Sequence, residues 1–179
     1  MEPRHSCLGA AGRSARAPGS ARAPAGWVCL AASDEGIAAC TLPQPTAAAA
    51  LAQVDEGLAA PARADALLPR AAQELRRYFA GKRVALDLPL GLSGLLDFTR
   101  RVLLAVARIP YGETRSYGQI ARAAGRPNAA RAVGQAMARN PLALIVPCHR
   151  VIGSSGGLIG FGGGLDLKRN LLEMEQRGR

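Results

Sequence analysis

Apolar and polar positions in the first half of the chain predict three short strands. Two apolar runs, at 27–32 and 36–42, flank the polar stretch 33–35, and this arrangement is typical of a β-hairpin. Apolar residues alternate at 84–88, where we expect a further strand.

Helical spacing of apolar positions predicts two helices between these strands, over 47–58 and over 66–80. The first 25 residues show no such period and consist largely of Ala, Arg, Gly, Pro and Ser, so we predict a disordered low-complexity tail over 1–25. Residues 26–92 are then expected to form a small α/β scaffold domain. A linker at 92–94 leads into a mainly helical domain over 93–179.

The second domain contains the pattern of a helix-turn-helix. An amphipathic helix is predicted over 97–107, and Ser116 can cap a second helix over 117–124 that ends at Gly125. A third helix follows over 129–139. Two short helices joined by a tight turn containing glycine are typical of DNA-binding proteins, although many helical hairpins share the pattern.

The last of these helices is unusually rich in small residues. Its buried stripe is predicted to consist of Ala130, Val133 and Met137, which leaves Arg131 and Gln135 as the long polar side chains. Small residues allow a close approach to another molecule, and a lone arginine can enter a groove. An ordinary alanine-rich helix with a solvated arginine is the alternative.

Composition adds a partner class and a compartment. The net charge of +10 favours a polyanion such as nucleic acid, although a merely solubilising basic surface is the alternative. The four cysteines are widely spaced without a CxxC pair, so neither a zinc ribbon nor a disulfide framework is expected. Free thiols indicate a reducing compartment, and we expect a cytoplasmic protein without a membrane span. His5, Cys7 and Cys29 remain a possible metal set, but no metal is predicted.

The candidate chemistry lies in an apolar run that ends at Pro147, Cys148 and His149. A thiolate is the reactive form of cysteine, and an imidazole can accept the thiol proton. Adjacent residues of a strand face opposite ways, so this pair can cooperate only if the chain turns sharply or a water molecule bridges the two. A buried structural cysteine beside a hydrogen-bonded histidine is the alternative.

These residues resemble the active-site signature of the methylated-DNA–protein-cysteine methyltransferases, the family that repairs O6-alkylguanine. The similarity covers about 98–175 and is weak in the N-terminal half. The matching positions, in the family's order, are Ser116-Tyr117, Ala129-Ala130-Arg131-Ala132-Val133-Gly134, Asn140-Pro141, Pro147-Cys148-His149-Arg150-Val151 and Gly163-Gly164-Leu165. The resemblance implies a ribonuclease H-like N-terminal domain and a winged-helix-like C-terminal domain.

The resemblance also implies four catalytic roles. Cys148 is the expected alkyl acceptor, His149 the base acting through a water molecule, and Glu175 the carboxylate that orients His149. Asn140 is expected to tie the helix-turn-helix to the active-site loop.

Spacing supports the position of Glu175 independently. In a helix predicted over 166–176, the buried stripe consists of Leu167, Leu171 and Met174. Glu175 lies four residues after Leu171, at the edge of that stripe, so its carboxylate can point inward. An exposed helix glutamate is the alternative.

For DNA binding, the resemblance implies that the helix-turn-helix enters the minor groove of double-stranded DNA. Arg131 is expected to fill the gap left by a flipped base, and Tyr117 to crowd the neighbouring phosphate. Thr99, Gly118 and Ser154 correspond to family positions that contact the DNA backbone. No cofactor is expected, and the protein is expected to act as a monomer.

Four residues are expected to line the substrate pocket: Val151, Phe161, Gly162 and Met137. Many members of the family have a tyrosine at the position of Phe161, and phenylalanine lacks its hydroxyl donor. The glycines at 160–164 favour a roomier wall, so methyl and some larger alkyl groups should fit.

The function implied by the resemblance is direct-reversal DNA repair by a stoichiometric suicide alkyltransferase, a methylated-DNA–protein-cysteine S-methyltransferase. It would flip O6-alkylguanine, with O4-alkylthymine left open, and transfer the alkyl group irreversibly to Cys148. The alternatives are a Cys-His thiol hydrolase and a non-catalytic lesion-binding protein of the same fold. A transcription factor regulated by alkylation would need a cysteine-rich zinc module, which the sequence does not show.

Overall fold

The computed structural model describes residues 6–9, 26–54 and 64–178. The strands are β1 (Ser6–Gly9), β2 (Trp27–Ser33), β3 (Gly36–Cys40), β4 (Arg115–Ser116) and β5 (Val151–Ile152). The helices are α1 (Ala47–Leu51), α2 (Ala64–Phe79), α3 (Asp97–Ala107), α4 (Tyr117–Ala123), α5 (Ala130–Ala138) and α6 (Gly164–Arg177).

The predicted hairpin is confirmed, since β2 and β3 pair in antiparallel fashion. The strand β1 pairs with the other edge of β2, which gives the sheet order β1-β2-β3. The prediction of a disordered tail is therefore wrong for residues 6–9, which form a strand. Four residues are too few to show a period, and the pairing with β2 supplies the backbone hydrogen bonds. The rest of the tail, 1–5 and 10–25, lies outside the described residues.

The segment at 84–88 is not a strand, contrary to the alternation of its apolar residues. Val84 and Leu88 are buried, but the segment joins no ladder. Its continuation pairs with the sheet at one isolated bridge, between Ile37 and Leu90. Alternating burial here reflects an extended chain lying across the core rather than strand pairing.

The helix predicted over 47–58 is also shorter, because α1 ends at Leu51 and 55–58 lie outside the described residues.

The helices of the C-terminal half lie where the sequence predicts them. The start of α4 is fixed by a capping box in which the Ser116 hydroxyl accepts from the Gln119 N–H and the Gln119 side chain accepts from the Ser116 N–H. Gly125 then adopts a φ of +79°, the left-handed conformation that ends a helix, and α5 follows after a short turn. These features give the predicted helix-turn-helix.

One apolar core joins the two halves of the chain. Residues of β2, α2, α3, α5 and α6 contribute to the same buried cluster. The backbone also crosses between the halves, since the Cys40 N–H donates to the Pro141 carbonyl over 2.8 Å. This connection brings the N-terminal sheet against the loop that precedes Cys148.

Among the described residues, no helix has the length and apolar character needed to cross a bilayer.

Candidate active site

The loop before Cys148 reverses direction instead of continuing as a strand. The Val146 N–H donates to the Leu142 carbonyl over 2.8 Å, and Leu144 adopts a φ of +70°. Asn140 fixes both sides of this reversal, because its Nδ2 donates to the Val146 carbonyl and its Oδ1 accepts from the Leu142 N–H, each over 3.0 Å. Asn140 thus connects the end of α5 to the loop, where the resemblance places it.

Cys148 opens a single 3-10 turn, Cys148–Arg150, directly after Pro147. This is the sharp turn that a cooperating Cys-His pair requires. Cys148 is half-buried, and burial raises the pKa of its thiol, while the Asn140 side chain and the positive charge of Lys168 lower it. Because the net shift is upward, the thiol needs a base to become a nucleophile at neutral pH.

His149 and Glu175 are both fully buried and face each other. The His149 Nε2 lies 2.9 Å from the Glu175 Oε1. Burial lowers the pKa of His149, an effect that the carboxylate opposes, so the imidazole is neutral at pH 7. When Nε2 carries the proton and donates a hydrogen bond to Glu175, Nδ1 is the basic atom of the ring. Nδ1 has no hydrogen-bond partner among the described residues.

The Glu175 carboxylate is held by an unusually large set of donors. Arg150 binds both oxygens, with Nε 2.9 Å from Oε2 and Nη2 2.9 Å from Oε1, and the Gly112 N–H donates to Oε2 over 2.9 Å. Arg150 is itself fixed by donating Nη1 to the Ile109 carbonyl over 2.7 Å. Burial alone would raise the pKa of Glu175, but the hydrogen bonds from His149 and Arg150 lower it to about 2.

Tyr78 completes this network from the other half of the molecule, and sequence reasoning missed it. Its hydroxyl, on the fully buried side chain from α2, donates to the Glu175 Oε1 over 2.7 Å and lies 3.3 Å from the His149 Nε2. Its spacing from Leu75 marks it as a core residue, and nothing local indicates a polar partner about a hundred residues further along the chain.

Replacing Tyr78 by phenylalanine is expected to lower the free energy of unfolding by about 1–2 kcal/mol, because the ring packing remains while one hydrogen bond to a buried carboxylate is lost. Tyr111→Phe is the matched control, since the buried Tyr111 hydroxyl has no hydrogen-bond partner in the described part of the chain. Denaturant titration of both variants measures the difference. Equal destabilisation of the two would contradict this role for Tyr78.

Lys168 is a second residue that sequence reasoning missed. It is fully buried in α6, and its Nζ donates to the Val151 carbonyl over 2.7 Å and to the Ile159 carbonyl over 2.9 Å. These bonds join the segment after Cys148 to the loop before α6. A signal existed in the sequence, because Lys168, Leu171 and Glu175 follow i, i+3, i+7 spacing and therefore share one helix face.

The residues expected to contact DNA lie on or beside the helix-turn-helix. Arg131 is exposed at the start of α5, and Tyr117 and Gly118 begin α4. The ring of Tyr117 lies close to Gly134 of α5. A Cβ added at Gly134 would stand 3.7 Å from this ring, in ordinary van der Waals contact. Thr99 is half-buried in α3, and Ser154 is exposed in the turn after β5.

The four residues expected to line a pocket are exposed to different degrees. Val151 and Met137 are buried, Phe161 is half-buried against the core, and Gly162 is exposed. A side chain at position 162 would stand 3.6 Å from Leu42, in ordinary contact, so the structure leaves room for one there. The ring of Phe161 presents no hydrogen-bond donor.

No metal cluster is found in the described residues: none of them form a group of three or more His, Cys, Asp or Glu side chains that could hold an ion. Of the three alternative ligands, His5 lies outside the described residues. Cys7 is paired with Cys29 across β1 and β2 at the level of the backbone.

Two protein-family models match the chain, one on each half. The model described as "6-O-methylguanine DNA methyltransferase, ribonuclease-like domain" matches residues 19–92. The model described as "6-O-methylguanine DNA methyltransferase, DNA binding domain" matches residues 97–177.

Individual relatives agree with these models. A methylated-DNA–protein-cysteine methyltransferase of Mycolicibacterium paratuberculosis is 57% identical over 107 residues, which are 60% of this chain and 64% of that protein. The aligned segment thus spans slightly less than two thirds of that relative. The Bacillus subtilis constitutive methylated-DNA–protein-cysteine methyltransferase is 50% identical over 110 residues, or 61% of this chain and 66% of its own length.

Solved structures cover more of the chain. Mycobacterium tuberculosis OGT in complex with DNA is 43% identical, with a TM-score of 0.71, over 89% of this chain and 90% of that one. The O6-methylguanine-DNA methyltransferase of Pyrococcus kodakaraensis is 26% identical, with a TM-score of 0.60, over 83% of this chain and 90% of its own.

Proposed function

This chain belongs to the 6-O-methylguanine DNA methyltransferase family, and we propose that it repairs O6-alkylguanine in double-stranded DNA by moving the alkyl group to its own Cys148. The observation that carries the proposal is the buried pair of His149 and Glu175 directly beside a half-buried cysteine on a sharp turn. A buried base is the group that a thiol with a raised pKa needs.

The proposed step balances without a cofactor. The Cys148 thiol gives its proton to the His149 Nδ1, through a bridging water molecule, and Glu175 stabilises the resulting imidazolium. The sulfur then attacks the alkyl carbon, so an S–C bond forms while the bond between that carbon and O6 breaks. The electron pair of the broken bond goes to guanine, which takes up a proton. The thioether product contains no group that restores the thiol, and each molecule acts once.

The reacting carbon must first leave the base stack. The O6 atom lies inside the duplex, and extruding the nucleotide costs a few kcal/mol, less when the base is damaged. We propose that α5 binds the minor groove, where Arg131 fills the vacated space. Tyr117 crowds the adjacent phosphate, and Thr99, Gly118 and Ser154 contact the backbone. The protein acts as a monomer on DNA.

Val151, Met137, Phe161 and Gly162 are proposed to surround the extruded base. Lys168 keeps two of these segments together through its bonds to the carbonyls of Val151 and Ile159. Phe161 offers stacking area without a donor for the leaving oxygen, so backbone N–H groups or water donate hydrogen bonds to that oxygen and the proton that guanine takes up comes from water.

Intact mass spectrometry after incubation with duplex DNA containing O6-methylguanine tests the proposal. We expect a gain of one methylene unit per protein and no further turnover with excess DNA. A thiol hydrolase would instead release product repeatedly and keep its original mass. A lesion-binding protein without catalysis would retain the methylated base in the DNA.

Arg131→Ala is expected to weaken repair of duplex DNA by ~1–3 kcal/mol, or roughly 5- to 150-fold in rate at limiting protein, while reaction with free O6-benzylguanine stays near the wild-type rate. The reason is that the base must be extruded from the stack only in duplex DNA, whereas the free base enters the site directly. Single-turnover rates on both substrates provide the measurement. Equal losses on the two substrates would count against the proposed role.

A further inference from the structure

A groove on the outer surface of the helix-turn-helix domain collects four arginines that the proposed repair step does not use. The groove lies between α3 and α4 and has a volume of about 470 Å³. Its charged lining consists of Arg101 and Arg108 from α3, Arg115 from β4 and Arg122 from α4. These arginines recur at seven-residue intervals, and the fold brings them to one place.

The positive charge of this groove is only partly neutralised. Arg101 pairs with Asp97 over 3.2 Å, and Arg115 pairs with Glu113 over 2.9 Å. The side chains of Arg108 and Arg122 are exposed and make no hydrogen bond or ion pair within the described residues. Two guanidinium groups therefore face an open groove without a carboxylate, which makes the site selective for an anion.

The groove faces away from the helix proposed to bind the lesion. Helices α3, α4 and α5 pack against one another, so a groove between α3 and α4 opens opposite α5. No residue of α5 lines it. The buried residues of α3, Val102, Leu103 and Val106, lie on the other side of that helix.

We propose that this groove binds the phosphate backbone of a second DNA duplex while α5 holds the first. Guanidinium groups suit phosphates because they donate two parallel hydrogen bonds to each. Arg101 and Arg108 stand two turns apart on one helix face, so their Cα atoms are separated by roughly 10 Å along the helix. This separation is similar to the ~12 Å width of the major groove, across which two rows of phosphates face each other. The inference rests on the proposed function only in taking α5 as the first DNA site.

The same duplex does not reach both sites at low cost. Double-stranded DNA is stiff over ~150 base pairs, and bending a short site by 40–90° costs on the order of 1–6 kcal/mol. A separate duplex needs no bending to meet the outer groove. The protein would then bridge two DNA segments.

A bridging assay tests this inference with unmodified DNA. One duplex is fixed to beads, the full-length protein is added, and retention of a second, fluorescent duplex is titrated against salt. We expect the wild-type protein to retain the second duplex. The Arg108→Gln/Arg122→Gln variant should reduce the magnitude of the slope of log affinity against log salt for that duplex by about 2, because each lost phosphate contact removes about 0.9.

Arg76→Gln/Lys82→Gln is the matched control, since it removes the same charge from exposed positions of the N-terminal half. We expect it to bridge like the wild type. Methyl transfer from a single short duplex should be unchanged in both double variants, so a failure of the proposed repair activity would be seen separately.

Three results would overturn the inference. The first is a wild-type protein that retains no second duplex. The second is a groove variant with the same salt slope as the control. The third is a doubling of bead-bound protein whenever the second duplex is retained, because bridging would then come from contacts between two protein molecules.

Discussion

Cys148→Ala is expected to abolish alkyl transfer completely, so that its mass stays unchanged after incubation with DNA carrying O6-methylguanine. The sulfur is the atom proposed to form the new bond, and neither Cys29 nor Cys40 can replace it. Cys29 and Cys40 are buried in the sheet, and burial raises the pKa of the Cys40 thiol far above its ordinary range. Intact mass and the fraction of methylated DNA remaining give two independent measurements.

The control for this prediction is Cys40→Ala, which removes a thiol and leaves Cys148 in place. It should gain one methylene unit like the wild type. Cys148→Ala should still bind methylated duplex, since the positions assigned to DNA contact are untouched. Methylation of the Cys148→Ala variant at another residue would disprove the assignment of the acceptor.

Glu175→Ala is expected to lower the free energy of unfolding by about 3–5 kcal/mol, the largest stability change that we predict. The substitution leaves the buried guanidinium of Arg150 without its carboxylate, although the bond to the Ile109 carbonyl remains. It also removes the acceptor for His149 and Tyr78. Urea titration measures the effect, and alkyl transfer should be lost in parallel.

Glu173→Ala is the matched control on the same helix. Its carboxylate is 44% exposed and pairs with Arg177 over 3.6 Å, so its loss should cost less than ~1 kcal/mol. A Glu175→Ala variant as stable as Glu173→Ala would show that the network contributes little to folding.

The same network predicts how stability depends on pH. The folded-state pKa of Glu175 is about 2, below its ordinary value of 4.5, so its contribution is present above pH 4.5 and is lost as the pH falls towards 2. The lowered pKa of His149 acts in the same direction below its ordinary value of 6.5. Urea titrations between pH 7 and pH 3 should show falling stability, with a smaller fall in Glu175→Gln.

Local patterns in the sequence were sufficient for the helices of the C-terminal half. The ends of α4 follow from the Ser116 cap and from Gly125, and α3 and α5 each end within three residues of a proline. Such signals act locally. The inward position of Glu175 followed from its place on a helix face. The signature around Cys148 identified the family because neighbouring residues in the chain form the turn.

Local patterns failed where partners lie far apart in the chain. Alternation at 84–88 could not distinguish an extended segment from a paired strand, since pairing depends on a neighbour elsewhere. The strand β1 gave no signal for the same reason.

The sequence by itself determined the family and the order of the helices and predicted the nucleophile, because each of these depends on residues that lie close together in the chain. Only the tertiary structure decided what surrounds the carboxylate. Tyr78 and Glu175 are 97 positions apart, and Arg150 and Glu175 are 25 apart. Hydrophobic periodicity reports which face of a helix is buried, whereas the partner of a buried polar group depends on how separate elements pack.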